Sequence, residues 1–238
     1  MSDSPLIVAL DHPGPAEARA CVDALEGAVA RVKVGSVLFT RAGPALVREM
    51  AGRGLGVFLD LKLHDTPATV AGAVAAAADL EVDMLTVHAA GGAQMIGAAR
   101  AAADRARVAP RILAVTVLTS LDDRAWRGVA GAAAPPIPDA VSALAALAIG
   151  SGADGLVCSP REVARLRAEL GPKPLLVVPG IRPAWSASAH GGQARTAEPA
   201  AAMGAGATYL VVGRAVTADP DPRAAFDRIA AEIGAGAR

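Results

Sequence analysis

The sequence predicts a (β/α)8 TIM barrel in a single domain spanning residues 1–238. Three observations predict it. Eight short runs rich in Val, Ile and Leu recur along the chain, mostly one per 20 to 35 residues. Stretches with helical spacing lie between them. The length suits one such barrel, and no Pro/Gly/Ser linker divides the chain.

The runs are LIVAL at 6–10, RVKV at 31–34, GVFLDLK at 56–62, DMLTVH at 83–88, RILAVTVL at 111–118, ADGLVC at 153–158, PLLVV at 174–178 and TYLVVG at 208–213. They are nearly continuous in apolar residues, as parallel strands covered on both faces must be. Between the first two, PAEARACVDALEGAVA places Ala18, Cys21, Val22 and Leu25 on one helical face. In PREVARLRAEL, Pro160 reads as a helix opener. The AAAPPIP stretch at 132–138 reads as a loop after the fifth strand. A doubly wound open sheet is the rival architecture, but its Gly-rich fingerprint is missing after the first strand, which runs into DHPGPAEA.

Charge and composition narrow the function. Basic and acidic side chains number 23 each, so a broad field for nucleic-acid polymers or anionic membranes is not expected. Aromatics make up 3%, which disfavours base-stacking binders of single strands. The longest apolar helix candidate, around 140–153, is short of a membrane span. The first residues, MSDSPLIVALD, lack a basic region followed by a long apolar stretch. Cys21 and Cys158 are too few for a disulfide framework. A soluble cytoplasmic protein is the expectation.

Only three of the 23 basic side chains are lysine: Lys33, Lys62 and Lys173. A chain that otherwise uses arginine keeps lysine where a compact, titratable ammonium is needed. Active sites of these barrels lie at the C-terminal ends of the strands. The polar residues there are Asp11, Lys33, Asp60, Lys62, His64, Asp65, His88, Thr119, Ser120, Ser159, Arg182, Gly213 and Arg214. Two of the three lysines are among them.

The third strand is the most informative. Asp60 and Lys62 are two apart and share the inward side, while Leu59, Leu61 and Leu63 face the helices. Asp65 and Thr66 follow the strand, in the turn before Pro67; Thr66 is placed to cap the next helix. Asp65 therefore sits on a protruding loop within reach of a neighbouring subunit. An ion pair at about 4 Å is worth about 4 kcal/mol at an effective dielectric near 20, enough to fix Lys62. Asp-x-Lys alone is a weak signal, better explained by itself as an ion pair that closes the barrel. With Lys33 also inward, that plain reading buries two lysines and two aspartates without purpose.

VVPGIRP at 177–183 and VVGRAVT at 211–217 both end strands with a Gly turn. Loops after strands seven and eight commonly hold phosphate, here with Arg182, Gly213 and Arg214. The long polar stretch between them, at about 182–197, reads as a lid. The four histidines show no zinc spacing. His88 is within reach of the barrel mouth, and His64 reads as facing away from Lys62 or as loop support. Cys158 reads as packing.

FLDLKLHDTPATV at 58–70 resembles the signature of the orotidine 5'-phosphate decarboxylases, down to its D-x-K-x-x-D-T-P order. The resemblance extends to IVALD ending at Asp11, VKVGSVLFTRAGP at 32–44, AVTVLTS at 114–120, VVPGIRP and GATYLVVGRAVT. It is similar to the bacterial-type branch. The resemblance implies a cofactor-free and metal-free conversion of orotidine 5'-monophosphate to UMP and CO2 in pyrimidine biosynthesis. Asp60, Lys62, Asp65 and Lys33 form its catalytic charge array, and Lys62 protonates ring carbon 6. It further implies a homodimer in which Asp65 and Thr66 enter the partner's site. Asp11 and Lys33 contact ribose, and Thr119 contacts the pyrimidine edge. Gln193 bridges phosphate and base, while Arg182, Gly213 and Arg214 hold phosphate. The chain departs from the family in the lid, which usually carries Asp before the Gln and Thr-Pro after the Arg; here the residues are Gly192, Gln193, Arg195, Thr196 and Ala197.

Two rivals stay open. A metal-dependent sugar-phosphate decarboxylase or aldolase on the same barrel also uses Asp-x-Lys-x-x-Asp, but carries an acid where this chain has Lys33. A barrel that only binds a nucleotide or a partner is the other.

Overall fold

A computed structural model describes residues 4–25, 27–186 and 195–236. Eight parallel strands close into a barrel in sequence order. They are β1 (Leu6–Ala9), β2 (Arg31–Gly35), β3 (Gly56–Leu63), β4 (Met84–His88), β5 (Arg111–Val115), β6 (Gly155–Val157), β7 (Leu175–Val178) and β8 (Tyr209–Val212). Each expected run yields a strand. β5 and β6 are shorter than their apolar runs: Val117 and Leu118 beyond β5 line the barrel mouth, and Cys158 after β6 is buried in the outer core.

The helices are α1 (Pro15–Ala24), α2 (Ser36–Gly52), α3 (Pro67–Ala78), α4 (Gly92–Asp104), α5 (Asp123–Ala130), α6 (Ile137–Gly150), α7 (Val163–Leu170), α8 (Pro199–Gly204), α9 (Arg214–Thr217) and α10 (Pro222–Gly236). Ala18, Cys21, Val22 and Leu25 are all buried, as their spacing requires. α2 breaks at Gly43, whose φ is 61°, a conformation open to glycine and placed just before Pro44. Residues 131–136 separate α5 from α6, so two helices rather than one join β5 to β6; Ile137 and Pro138, expected in the loop, open α6.

Two expectations about helix starts need correction. Pro160 does not open α7. The Glu162 side chain folds back to accept hydrogen bonds from the backbone N–H and hydroxyl of Ser159, which holds 159–162 as a turn. Thr66 stands at the N-cap of α3, but its hydroxyl pairs with that of Thr69 instead of capping a backbone N–H.

Alternation along the strands builds two cores. Leu6, Val8, Val32, Val34, Val57, Leu59, Leu85, Val87, Ile112, Ala114, Leu176, Leu210 and Val212 face outward and pack beneath the helices. Ile7, Ala9, Phe58, Met84, Leu113, Val177, Tyr209 and Val211 fill the barrel itself. The inner set is smaller and purely aliphatic apart from Phe58 and Tyr209, so the barrel is a packed plug below the mouth.

Gly155 shows how tight that closure is. A Cβ there would lie 2.3 Å from the carbonyl oxygen of Leu175 on β7. Backbone cannot yield to that contact without opening the β6–β7 pairing. Gly155→Ala is expected to destabilise the fold by about 1–3 kcal/mol, seen as a lower urea midpoint; an unchanged midpoint would show that the strands can separate at no cost.

Candidate active site

The strand ends gather the charged residues over the apolar plug. Lys33 lies beside Ala9 and Phe58 in the strand register and points inward. Its Nζ is 2.8 Å from Asp11 Oδ1 and 3.7 Å from Asp60 Oδ2. Lys62 Nζ is 2.8 Å from each oxygen of Asp60. Within one chain the order is thus Asp11–Lys33–Asp60–Lys62, alternating in sign. Asp60 is largely shielded, while Asp11 reaches into solvent.

A local irregularity makes this possible. β3 pairs with β4 as Phe58 with Met84 and Leu59 with Leu85, then resumes at Leu63 with Val87. Three residues, Asp60 to Lys62, therefore stand opposite Thr86 alone. Lys62 takes φ 53°, in the left-handed region. That costs a lysine roughly 1–2 kcal/mol and is retained because the neighbours hold it. Leu61 and Leu63 still pack against the outer core. The bulge thus presents Lys62 at the mouth without turning its leucine neighbours inward.

The electrostatics follow from this packing. Burial by itself would raise the Asp60 carboxyl. The positive charges of Lys33 and Lys62, with hydrogen bonds from Lys62 and Thr86, outweigh burial and hold it below the ordinary carboxylate value. His88, two residues beyond Thr86, is pushed down by burial and by the nearby His64 and Lys62, with Asp60 opposing weakly. The two imidazole rings lie 5.3 Å apart. His64 therefore supports the loop through His88, one of the two placements expected for it.

A cavity of about 720 Å³ opens above this array. Asp11, Lys33, Asp60 and Lys62 line one side; Thr119, Arg182, Gly213 and Arg214 line the rest. Phe58, Val115, Val157 and Val211 form its apolar floor. Eight of the expected site residues thus meet in one space. Asp65 and Thr66 do not line it. They are exposed, and Asp65 Oδ1 accepts from the Thr66 backbone N–H at 2.6 Å. Gln193 lies outside the described residues. Ser159 is fully buried and faces Glu162, not the cavity. Burial pushes the Cys158 thiol up, which fits a packing role.

Sequence reasoning missed Thr86 and Gly35. Thr86 is a polar residue inside an apolar run and two before His88, a signal that placed it inward. At Gly35, a Cβ would crowd Lys33 Nζ at 3.1 Å and Asp11 Oδ1 at 3.3 Å, so glycine leaves room for their ion pair. The ends of the β7–α8 connection are also pinned. The Arg182 N–H donates to Ala197 O at 2.9 Å, and the Ala197 N–H donates to Gly180 O at 3.2 Å. Alanine at 197 supplies an N–H that the proline usual there lacks, so the second of these hydrogen bonds depends on that departure. Arg195 is buried against Glu162 and the carbonyl of Leu118, next to Thr119.

Residues 4–229 match the model of the orotidine 5'-phosphate decarboxylase / HUMPS family. The chain belongs to this family. An orotidine 5'-phosphate decarboxylase from Anaeromyxobacter sp. strain K is 54% identical over 228 residues, covering 96% of this chain and 97% of the relative. The one from Halorhodospira halophila is 53% identical over 230 residues, covering 97% and 96%. Among solved structures, that of orotidine 5'-phosphate decarboxylase from Lactobacillus acidophilus superposes with a TM-score of 0.85 at 38% identity, covering 97% of this chain and 99% of that one. Membership makes the chain a decarboxylase of the pyrimidine pathway. No helix among the described residues is long and apolar enough to cross a membrane.

The shifts at His88 and Asp60 have one sign. Each group binds its proton more weakly folded than unfolded, so the stability it contributes is present above its ordinary value and lost as pH falls. For His88 that loss starts near pH ~6.5 and for Asp60 near ~3.9. The thermal midpoint should fall on acidification from pH 7.5 to 5, and fall less in His88→Gln. Identical pH dependence in the two proteins, followed by scanning calorimetry, would contradict a half-buried His88 whose protonation the fold disfavours.

Proposed function

We propose that the chain, a carboxy-lyase, converts orotidine 5'-monophosphate to UMP and CO2 without a cofactor, with Lys62 protonating ring carbon 6. The observation that carries this reading is the Asp11–Lys33–Asp60–Lys62 array beside an apolar floor.

The chemistry demands such a site. As the bond from carbon 6 to the carboxylate breaks, its electron pair stays on carbon 6 in the plane of the ring, poorly delocalised. Preorganised charge is then the means of lowering the barrier. The Lys62 ammonium stabilises the developing carbanion and transfers its proton to carbon 6. The resulting amine regains a proton from solvent. Arginine does not give up its proton readily, which accounts for lysine in an arginine-rich chain. Asp60, held as carboxylate between two ammonium groups, orients Lys62 and faces the departing carboxylate. Asp11 and Lys33 meet ribose, and Thr119 meets the pyrimidine edge. Arg182, Gly213 and Arg214 take phosphate at the far end, where binding energy remote from carbon 6 positions the ring.

The metal-dependent alternative is disfavoured by the donor set. The two carboxylates that line the cavity, Asp11 and Asp60, are each engaged by a lysine ammonium, and Lys33 would repel a divalent cation. Among the described residues, no group of three or more His, Cys, Asp or Glu side chains is placed to hold a metal ion.

The proposal includes a cytoplasmic homodimer in which Asp65 and Thr66 complete the partner's array. Their exposure on the loop after β3, outside their own cavity, supports that reading.

Loss of orotidine monophosphate absorbance tests the reaction directly. Lys62→Ala should lower kcat by more than about 10³-fold while the fold is retained, since proton donation and carbanion stabilisation are lost together. Near-wild-type turnover would remove Lys62 from the role of proton donor. Arg214→Ala should raise KM by roughly 10-fold or more, as a charge-assisted phosphate contact is worth about 1.5–3 kcal/mol. An unchanged KM would move the phosphate elsewhere.

A further inference from the structure

We infer that Thr86 is a positioning residue for the reaction: its buried hydroxyl sets the backbone of Lys62 and the carboxylate of Asp60 with a single pair of hydrogen bonds. The inference rests on the proposed role of Lys62.

Thr86 has no exposed surface, although it is polar and lies in the middle of β4. It stands opposite the three-residue bulge of β3, where the strand ladder skips from Leu59–Leu85 to Leu63–Val87. There the Lys62 backbone N–H donates to Thr86 Oγ1 at 2.8 Å. Thr86 Oγ1 in turn lies 3.0 Å from Asp60 Oδ1.

The direction of both bonds is forced. A backbone N–H only donates, so Oγ1 must accept from Lys62. The hydroxyl proton then goes to Asp60, which accepts while it is a carboxylate. Asp60 Oδ1 thus receives both Thr86 and Lys62 Nζ, and Oδ2 receives Lys62 with Lys33 beyond. One side chain on the neighbouring strand ties the left-handed turn at Lys62 to the carboxylate that holds its ammonium. Neither end is fixed by β3 alone, because the bulge removes the ordinary ladder partner. The titratable groups around this junction are Asp60, Lys62 and His64 on and after β3, Lys33 on β2 with Asp11 behind it, and His88 on β4.

The hydroxyl is tested by a variant that keeps the shape without it and one that keeps the hydroxyl without the methyl, alongside Lys62→Ala. Thr86→Val keeps the shape and removes both bonds. Its kcat should fall by about 10–100-fold, as loss of an orienting contact behind a reacting group does. KM should move by no more than about threefold, because the phosphate and ribose contacts are untouched. The acid limb of kcat/KM should shift to higher pH, since a donor to the charged form of Asp60 is lost. Thr86→Ser restores the hydroxyl and should return kcat to within about threefold of wild type. If Thr86→Val does not fold, Thr86→Ala read against Thr86→Ser makes the same comparison. Wild-type kcat and pH profile in the hydroxyl-free variant would overturn the inference. So would equal losses in the serine and hydroxyl-free variants, which would assign the effect to packing. If Lys62→Ala itself remains active, it is the role of Lys62 that fails; if only the Thr86 variants are silent, the role of Lys62 stands and the positioning inference falls.

Discussion

The Asp60 carboxylate sits between two ammonium groups on one side of the cavity, 2.8 Å from one and 3.7 Å from the other. Shielded from water, it is stable as an anion because Lys33, Lys62 and Thr86 surround it. The dependence runs both ways. Without Asp60, two lysine ammonium groups would face each other in a confined space, and without either lysine the carboxylate would lack compensation. The bulge in β3, the left-handed Lys62 and the glycine at position 35 all serve that one arrangement of charges.

The barrel supplies the support for it. Its interior below the mouth is a plug of small aliphatic side chains with Phe58 and Tyr209. A tightly filled floor keeps water from beneath the charges and fixes the strand ends that carry them. Opposite the array, the ends of the β7–α8 connection are clamped through Ala197 and the buried Arg195. The charges of β1 to β3 and the arginines that follow β7 and β8 border one cavity with an apolar lining between them.

Much of this was legible in the sequence, for reasons that can be named. Strands covered on both faces must be apolar throughout, so all eight announced themselves. Inward placement of Lys33, Asp60 and Lys62 followed from a period of two. Helix starts were less legible. Pro160 carries the chemistry of an opener, yet Glu162 reaches back to Ser159 and delays α7. Thr66 has capping chemistry, but its hydroxyl finds Thr69 first. These choices depend on competing local partners, which composition and spacing do not rank.

The chain's sequence by itself determined the barrel, the family and the identity of the charged residues at the strand ends, because hydrophobic period and residue type are local properties written along the chain. Tertiary structure alone decided how those charges are held. The skipped register between β3 and β4, the φ of Lys62, and the meeting of Thr86 with both Lys62 and Asp60 arise from two strands pairing across 24 to 26 positions of sequence. A polar residue in an apolar run marks Thr86, but which atoms of β3 it meets is fixed only when the strands lie side by side.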